Sequence, residues 1–162
     1  MRLTIRSLVL SVAWLGLSSL LIGAAFAQSD PQVGVWRLNV AKSKYSPGSA
    51  PKSATTRIEA AGAGTKVIVD QTPADGATRH WEFTADYDGK DSRVTGNNPD
   101  ADMVARTRIN ATTVQTISKK GGKVMTTQTS AVSSDGKTRT VTTKGVNASG
   151  QQVNNVAVYE KQ

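Results

Sequence analysis

Closely spaced turn signals are the feature that most constrains how this chain can fold. After residue 33 they recur about every 10–14 residues, and the segments between them are rich in Thr and Val. The turns are Gly62-Ala63-Gly64, Asp75-Gly76, Asp88-Gly89, Asn98-Pro99-Asp100, Gly121-Gly122, Asp135-Gly136 and Asn147-Ala148-Ser149-Gly150. Asp-Gly and Gly-Gly supply the positive φ angles of tight hairpins. No helical periodicity is sustained over a dozen residues, so the pattern predicts an all-β domain.

The segments between the turns predict about ten strands. They lie near residues 33–39, 54–60, 65–71, 78–86, 90–95, 102–109, 112–119, 123–132, 138–144 and 152–160. Because the connections are short, consecutive strands should pair as an antiparallel up-and-down meander. A sheet of this size does not stay open comfortably, and closure removes its exposed edges. We therefore expect a closed barrel, with a two-sheet β-sandwich as the alternative.

Residues 40–53 form the only long predicted connection. They contain Pro47, Gly48 and Pro51, which forbid a stable helix. We expect a flap across one end of the barrel that gates access to its interior, and an ordinary surface loop is equally compatible with the composition.

The first 27 residues have the pattern of a cleavable signal peptide. Arg2 and Arg6 precede an apolar run, which ends in Ala25-Phe26-Ala27 before the polar Gln28. Small residues at Ala25 and Ala27 favour cleavage over a retained membrane anchor, so residues 28–162 should form a single mature domain. This prediction implies a periplasmic or secreted bacterial protein that does not span a membrane after cleavage.

The composition narrows the possible chemistry. The chain has no cysteine and one histidine, which excludes thiolate chemistry and makes a His-based metal site or catalytic triad improbable. His80 should face solvent, opposite Trp81 and Phe83. The acidic residues lie mainly at turns, without the oxygen-donor series of a calcium loop. We expect no enzyme activity, no metal and no cofactor.

Both ends of the domain resemble known β-barrels. Gly34-Val35-Trp36-Arg37-Leu38-Asn39, followed by Ser43 and Lys44, is similar to the opening strand of lipocalins and fatty-acid-binding proteins. The final Val156-Ala157-Val158-Tyr159-Glu160-Lys161 resembles the last strand of the fatty-acid-binding branch. The resemblance implies a lipocalin-like (calycin-type) barrel whose base is built by Gly34 and Trp36. We expect Lys161 to cover the Trp36 ring through a cation–π contact.

The resemblance implies the fold more than the ligand. Fatty-acid-binding proteins hold the ligand carboxylate with an Arg two residues before the final Tyr, where this chain has Ala157. A second Arg that usually precedes the penultimate hairpin has no counterpart around Ser130-Ala131-Val132. The helical lid of that branch is replaced by the Pro-containing 40–53 segment.

The leading functional hypothesis is a non-catalytic binding protein for a small, partly apolar molecule held inside the barrel. Trp81, Phe83, Met103 and Tyr159 are the candidate cavity-lining residues, since aromatic residues are too few to fill a large barrel.

The alternative is a periplasmic interaction module with a solid core, whose basic loops dock an envelope protein or polysaccharide. The formal charge of +8 is compatible with attraction to an anionic envelope surface, whereas nucleic acid is not expected. The basic residues, expected at solvated strand ends and hairpins, are Lys42, Lys44, Lys52, Arg57, Lys119, Lys120, Lys123, Lys137, Arg139 and Lys144.

Overall fold

The computed structural model describes residues 29–162, and every regular element in this part of the chain is a strand. The strands are β1 (Gly34–Lys44), β2 (Ser53–Ala61), β3 (Gly64–Thr72), β4 (Arg79–Asp86), β5 (Asp88–Arg93), β6 (Thr95–Gly96), β7 (Met103–Arg108), β8 (Thr113–Lys120), β9 (Lys123–Val132), β10 (Thr138–Val146) and β11 (Gln152–Lys161). The predicted signal peptide, with Ala25, Ala27 and Gln28, lies outside the described residues.

The strands form one antiparallel sheet that is nearly closed into a barrel. Their order is β5-β7-β8-β9-β10-β11-β1-β2-β3-β4-β6, so almost every strand pairs with its neighbours in the chain. The strands at the two edges of this sheet, β5 and β6, follow each other in the chain. β5 pairs with β7 at one edge, and β6 pairs with β4 at the other. The stretch 88–96 therefore joins both edges of the sheet. The predicted all-β, up-and-down barrel is confirmed, and the alternative two-sheet sandwich is not formed.

The predicted flap at 40–53 is too long, because β1 continues to Lys44. Asn39 pairs with Val158 and Lys44 pairs with Val156, so residues 40–43 bulge opposite a single residue of β11. Ser43 stabilises this bulge, because its Oγ donates to the Asn39 carbonyl at 2.7 Å and accepts from the Val158 amide at 3.0 Å. Because Lys44 pairs with β11, β1 continues almost to Pro47-Gly48, and the loop is limited to residues 45–52.

Trp36 lies at the base of the barrel, where it is fully buried with Ile58, Val67 and Val132. Lys161 Nζ lies 5.1 Å from the centroid of the Trp36 ring, the contact expected from the sequence. Gly34 makes this approach possible, because a Cβ at its position would lie 2.6 Å from Lys161 Cε, and its φ of +142° is one that glycine tolerates.

The two ends of the barrel differ. The segment before β1 closes one end, which is called the floor below: Gln32 is fully buried, and its carbonyl accepts the indole N–H of Trp36 at 2.8 Å. Loops 45–52, 97–102 and 147–151 lie at the opposite end, called the mouth. Among residues 29–162 no helix is long and apolar enough to cross a membrane.

Candidate functional site

An internal cavity of about 240 Å³ runs from the mouth toward the floor. Along each strand, residues that face the cavity alternate with residues that face outward, as the pleat of a barrel requires. The apolar wall consists mainly of Val67, Val69, Trp81, Phe83, Val104, Val141 and Ala157. The polar wall is formed by Thr, Ser and Gln side chains of β8 and β9, which are Thr116, Ser118, Thr126 and Gln128. The cavity therefore presents both apolar surface and hydrogen-bonding groups.

The sequence-predicted cavity residues are not all in the cavity. Trp81, Phe83 and Tyr159 line it, whereas Met103 does not. Met103 begins β7, on which Val104 and Arg106 face inward, so the alternation of the strand turns Met103 away from the interior. The prediction for Met103 assumed that this residue faces the interior of the barrel.

Arg106 is a buried cation on the cavity wall, only 2% exposed. Its Nη1 donates to Thr65 Oγ1. Its guanidinium carbon lies 5.0 Å from the centroid of the Tyr87 ring and 5.9 Å from that of Phe83. Within residues 29–162 its Nε has no hydrogen-bond partner, although it is fully shielded by protein. Burial lowers the pKa of Arg106, and the negative charge of Asp30 opposes that shift.

Arg139 is a second buried cation on the same cavity. Its Nε donates to Ser130 Oγ at 2.7 Å and to Gln32 Oε1 at 3.3 Å, and its guanidinium carbon lies 5.6 Å from the Tyr159 ring centroid. Burial lowers the pKa of Arg139 to about 10, and the positive charge of Arg106 contributes to the decrease. Both groups remain cationic near neutral pH.

Neither arginine forms an ion pair with a carboxylate of residues 29–162. Their partners are neutral oxygens and aromatic rings, which stabilise a buried charge less than a counter-ion does. Burying a cation without a counter-ion is costly, because water solvates it far better than a protein interior does. Toward the floor, the cavity wall therefore carries two buried cations that no carboxylate of residues 29–162 pairs directly.

Tyr159 and Tyr45 add hydroxyl groups to the cavity wall. Burial raises the pKa of both phenols, so both hydroxyls stay protonated and can donate hydrogen bonds to a bound molecule. Tyr159 lies directly across the β10–β11 ladder from Arg139, whereas Tyr45 lies in the loop after β1.

The mouth is narrowed by a loop that the sequence analysis did not single out. Asn98, Pro99, Asp100 and Ala101 line the cavity, and Asp100 Oδ1 accepts the Ala148 amide at 2.7 Å. That hydrogen bond links the loop after β6 to the loop after β10. The loop at 45–52, which lies within the predicted flap, contributes Tyr45 to the cavity wall, and the amide of its Ser46 donates to Asn155 Oδ1 of β11 at 2.9 Å.

The two buried arginines are candidate site residues that the sequence analysis did not identify. Arg139 was predicted to be solvated with Lys137 and Lys144, but it is 8% exposed and faces inward. Arg106 was not considered. Each lies two residues from an inward-facing valine, Val104 or Val141, on its own strand. This spacing indicates that both arginines face inward with the valines. The general expectation that charged residues of a strand face solvent led to the opposite prediction.

The other candidates lie on the outer surface. His80 is exposed, and its Nδ1 lies 2.7 Å from Asp70 Oδ1, away from the cavity. Within residues 29–162 no group of three His, Asp or Glu side chains is close enough to hold a metal ion. Lys119 is paired with Asp91 at 2.7 Å, while Lys120 and Lys123 are exposed at the β8–β9 turn.

Comparison of the chain with protein-family models and with curated proteins gave no match. Arg106 and Arg139 are the buried cations on the cavity wall, and the half-buried Arg79 also lines the cavity.

Proposed function

We propose that this chain is an exported, non-catalytic binding protein that holds a small, partly apolar anion inside its barrel. The observation that carries the proposal is the pair of buried arginines, Arg106 and Arg139, which face one enclosed cavity without a carboxylate partner among residues 29–162. A bound anion would supply the missing counter-charge. The apolar wall near Trp81 and Phe83 would accept the rest of the molecule.

The size and polarity of the cavity define the class of ligand. Typical ligand pockets measure about 300–1,000 Å³, so a cavity of about 240 Å³ suits a small molecule. A planar carboxylate or a phosphate matches the donor geometry of guanidinium groups. The ligand class is therefore a short amphiphile with one anionic head and an apolar body of a few carbon atoms.

The solid-core alternative, an interaction module that uses basic loops, needs no cavity. The enclosed space and its inward-facing charges favour the ligand-binding proposal. The proposal keeps the attraction of the basic surface to an anionic envelope as a secondary property, through exposed residues such as Lys120 and Lys123.

We further propose kinship with the lipocalin and fatty-acid-binding barrels. The up-and-down strand order and the tryptophan–lysine contact at the base support it. The anion site differs from the motif described for that branch, because it takes Arg139 from β10 and Arg106 from β7, with alanine at position 157 of β11.

The test compares two probes of equal chain length, octanoate and octanol, by isothermal titration calorimetry. We expect octanoate to bind more tightly, because only its head is an anion that can form charge-assisted hydrogen bonds with the guanidinium groups. Arg139→Met and Arg106→Met should each weaken octanoate binding about tenfold or more, as expected for hydrogen bonds to a charged group. The affinity for octanol should be retained.

The matched control is Arg57→Met, which removes the same charge from the exposed outer face of β2. It should leave both affinities unchanged. Equal binding of the two probes, or equal effects of the Arg57 and Arg139 substitutions, would contradict the proposed anion site. Failure of both probes to bind would argue against a ligand of this size and class.

A further inference from the structure

Asp30 lies at the floor, on the far side of Tyr87 from the cavity. Its Oδ2 accepts the Tyr87 hydroxyl at 2.6 Å and Arg108 Nη2 at 2.5 Å. Its Oδ1 accepts the backbone amide of Gln32 at 3.0 Å, which fixes the turn before β1. One carboxylate thus ties the N-terminal segment to the β4–β5 turn and to β7.

Tyr87 lies next to two guanidinium groups. Arg106 is 5.0 Å and Arg108 4.0 Å from its ring centroid. Only Arg108 has the Asp30 carboxylate as a partner. The ring that supports Arg106 is therefore held by a hydrogen bond from its own hydroxyl to Asp30, while the charge of Arg106 remains available to the cavity.

We infer that Asp30 and Tyr87 are positioning residues for the anion site, because they fix the Arg106 guanidinium against the cavity wall without neutralising it. The inference rests on the proposed function, since it concerns how one cation of that site is held. Neither Asp30 nor Tyr87 lines the cavity. Their effect on a ligand is exerted through Arg106.

The change in charge and the loss of positioning predict opposite effects of Asp30→Asn on anion binding. Asp30→Asn removes a negative charge near Arg106, so charge alone would make the site more positive and tighten anion binding. Positioning predicts the reverse, because Tyr87 loses its charged acceptor and Arg106 loses a fixed support. We expect Asp30→Asn to weaken octanoate binding about tenfold and to leave octanol binding unchanged.

Tyr87→Phe tests the same link without changing any charge. It retains the ring beside Arg106 and removes the hydroxyl that reaches Asp30, so it should also weaken octanoate binding. If both substitutions act on Arg106 through the Tyr87–Asp30 hydrogen bond, the double variant should bind octanoate no more weakly than the single variant with the lower affinity. Asp135→Asn is the control: this exposed carboxylate lies in the β9–β10 turn at the floor end and contacts Ser133.

A second measurement does not need a ligand. The side-chain Nε–H signals of Arg106 and Arg139, followed by NMR, should exchange slowly with solvent in the unmodified protein. Asp30→Asn should accelerate exchange of the Arg106 signal and leave that of Arg139, which donates to Ser130 and Gln32, unchanged.

The outcomes separate the two proposals. Octanoate binding to Asp30→Asn that equals or exceeds that of the unmodified protein would overturn the positioning role. If the unmodified protein binds no octanoate, the proposed function fails. In that case, faster exchange of Arg106 in Asp30→Asn would still support positioning, and unchanged exchange would refute it. If Asp30→Asn does not fold, Tyr87→Phe decides by the same two readouts.

Discussion

At the scale of single residues, the buried charges at the floor are held in two different ways. Arg108 has a carboxylate partner in Asp30, whereas Arg106 and Arg139 have neutral partners only among residues 29–162. A buried ion that has no counter-ion costs stability, which another interaction must offset. The contrast marks Arg108 as structural and the other two arginines as available for a ligand.

Asp30 should make the fold sensitive to acid. Burial alone would raise the pKa of Asp30, but hydrogen bonds from Tyr87, the Gln32 amide and Arg108 outweigh it, so the pKa lies below its usual value. A folded-state pKa below the unfolded one adds stability above the unfolded pKa of about 4. That stability is lost as the pH falls through the lower, folded-state pKa.

We therefore expect Asp30→Asn to lose less unfolding free energy than the unmodified protein between pH 7 and pH 3, as measured by urea unfolding. Glu59→Gln, which removes an exposed carboxylate on β2, serves as the charge control. An identical pH dependence of Asp30→Asn and the unmodified protein would show that folding does not lower the pKa of Asp30.

Among the residues at the base, truncation of Trp36 should lower the unfolding free energy most. Its side chain is fully buried, and its Nε1 donates to the Gln32 carbonyl. Trp36→Ala should lower the unfolding free energy by about 3–5 kcal/mol, as other large core deletions do. Trp36→Phe keeps most of the packing and should cost less. A near-neutral Trp36→Ala in a urea titration would mean that the indole does not seal the barrel.

At the scale of elements, Gly145 tests the closeness of β9 and β10. Its φ is +138°, and an added Cβ would lie 2.1 Å from the Met125 carbonyl oxygen. Gly150 also has a positive φ, of +77°, but nothing lies within 4 Å of its Cβ position. Gly145→Ala should therefore lower the thermal midpoint more than Gly150→Ala. Equal midpoints would show that strain alone, without the clash, sets the cost.

The strands could be predicted well from the sequence, because turn residues and β-branched residues act locally. The bounds of β9, Lys123–Val132, match the prediction, and most other strands differ from it by one or two residues. The length of β1 could not be predicted, because Lys44 resumes pairing with β11 beyond the bulge at residues 40–43, and β11 lies far along the chain. Local composition carries no information about such a partner.

The anion site was harder to predict than the strands that carry it. Trp81 and Phe83 follow the simple alternation of their strand, so their inward direction was visible. Arg106 and Arg139 break the usual link between charge and exposure, and only the phase of Val104 and Val141 indicates their direction. Sites of this kind contradict general folding preferences, and the contradiction is itself a mark of function.

At the scale of the whole molecule, ligand binding should stabilise the barrel. An anion that neutralises Arg106 and Arg139 binds the folded state only, so mass action adds about 2.7 kcal/mol at a ligand concentration one hundred times Kd. We expect octanoate to raise the thermal midpoint of the unmodified protein more than that of the Arg139→Met variant at the same concentration, because the variant binds it more weakly. Equal shifts in both proteins would indicate binding outside the cavity.

A crystal structure of the protein with ω-bromooctanoate would show where an anion binds, because anomalous scattering from bromine locates the ligand without ambiguity. The account predicts the carboxylate within hydrogen-bond distance of Arg106 and Arg139, and the bromine in the cavity along the wall of Trp81 and Phe83. A ligand bound on the outer surface, or one inside the barrel with its carboxylate at the mouth and away from both arginines, would contradict it.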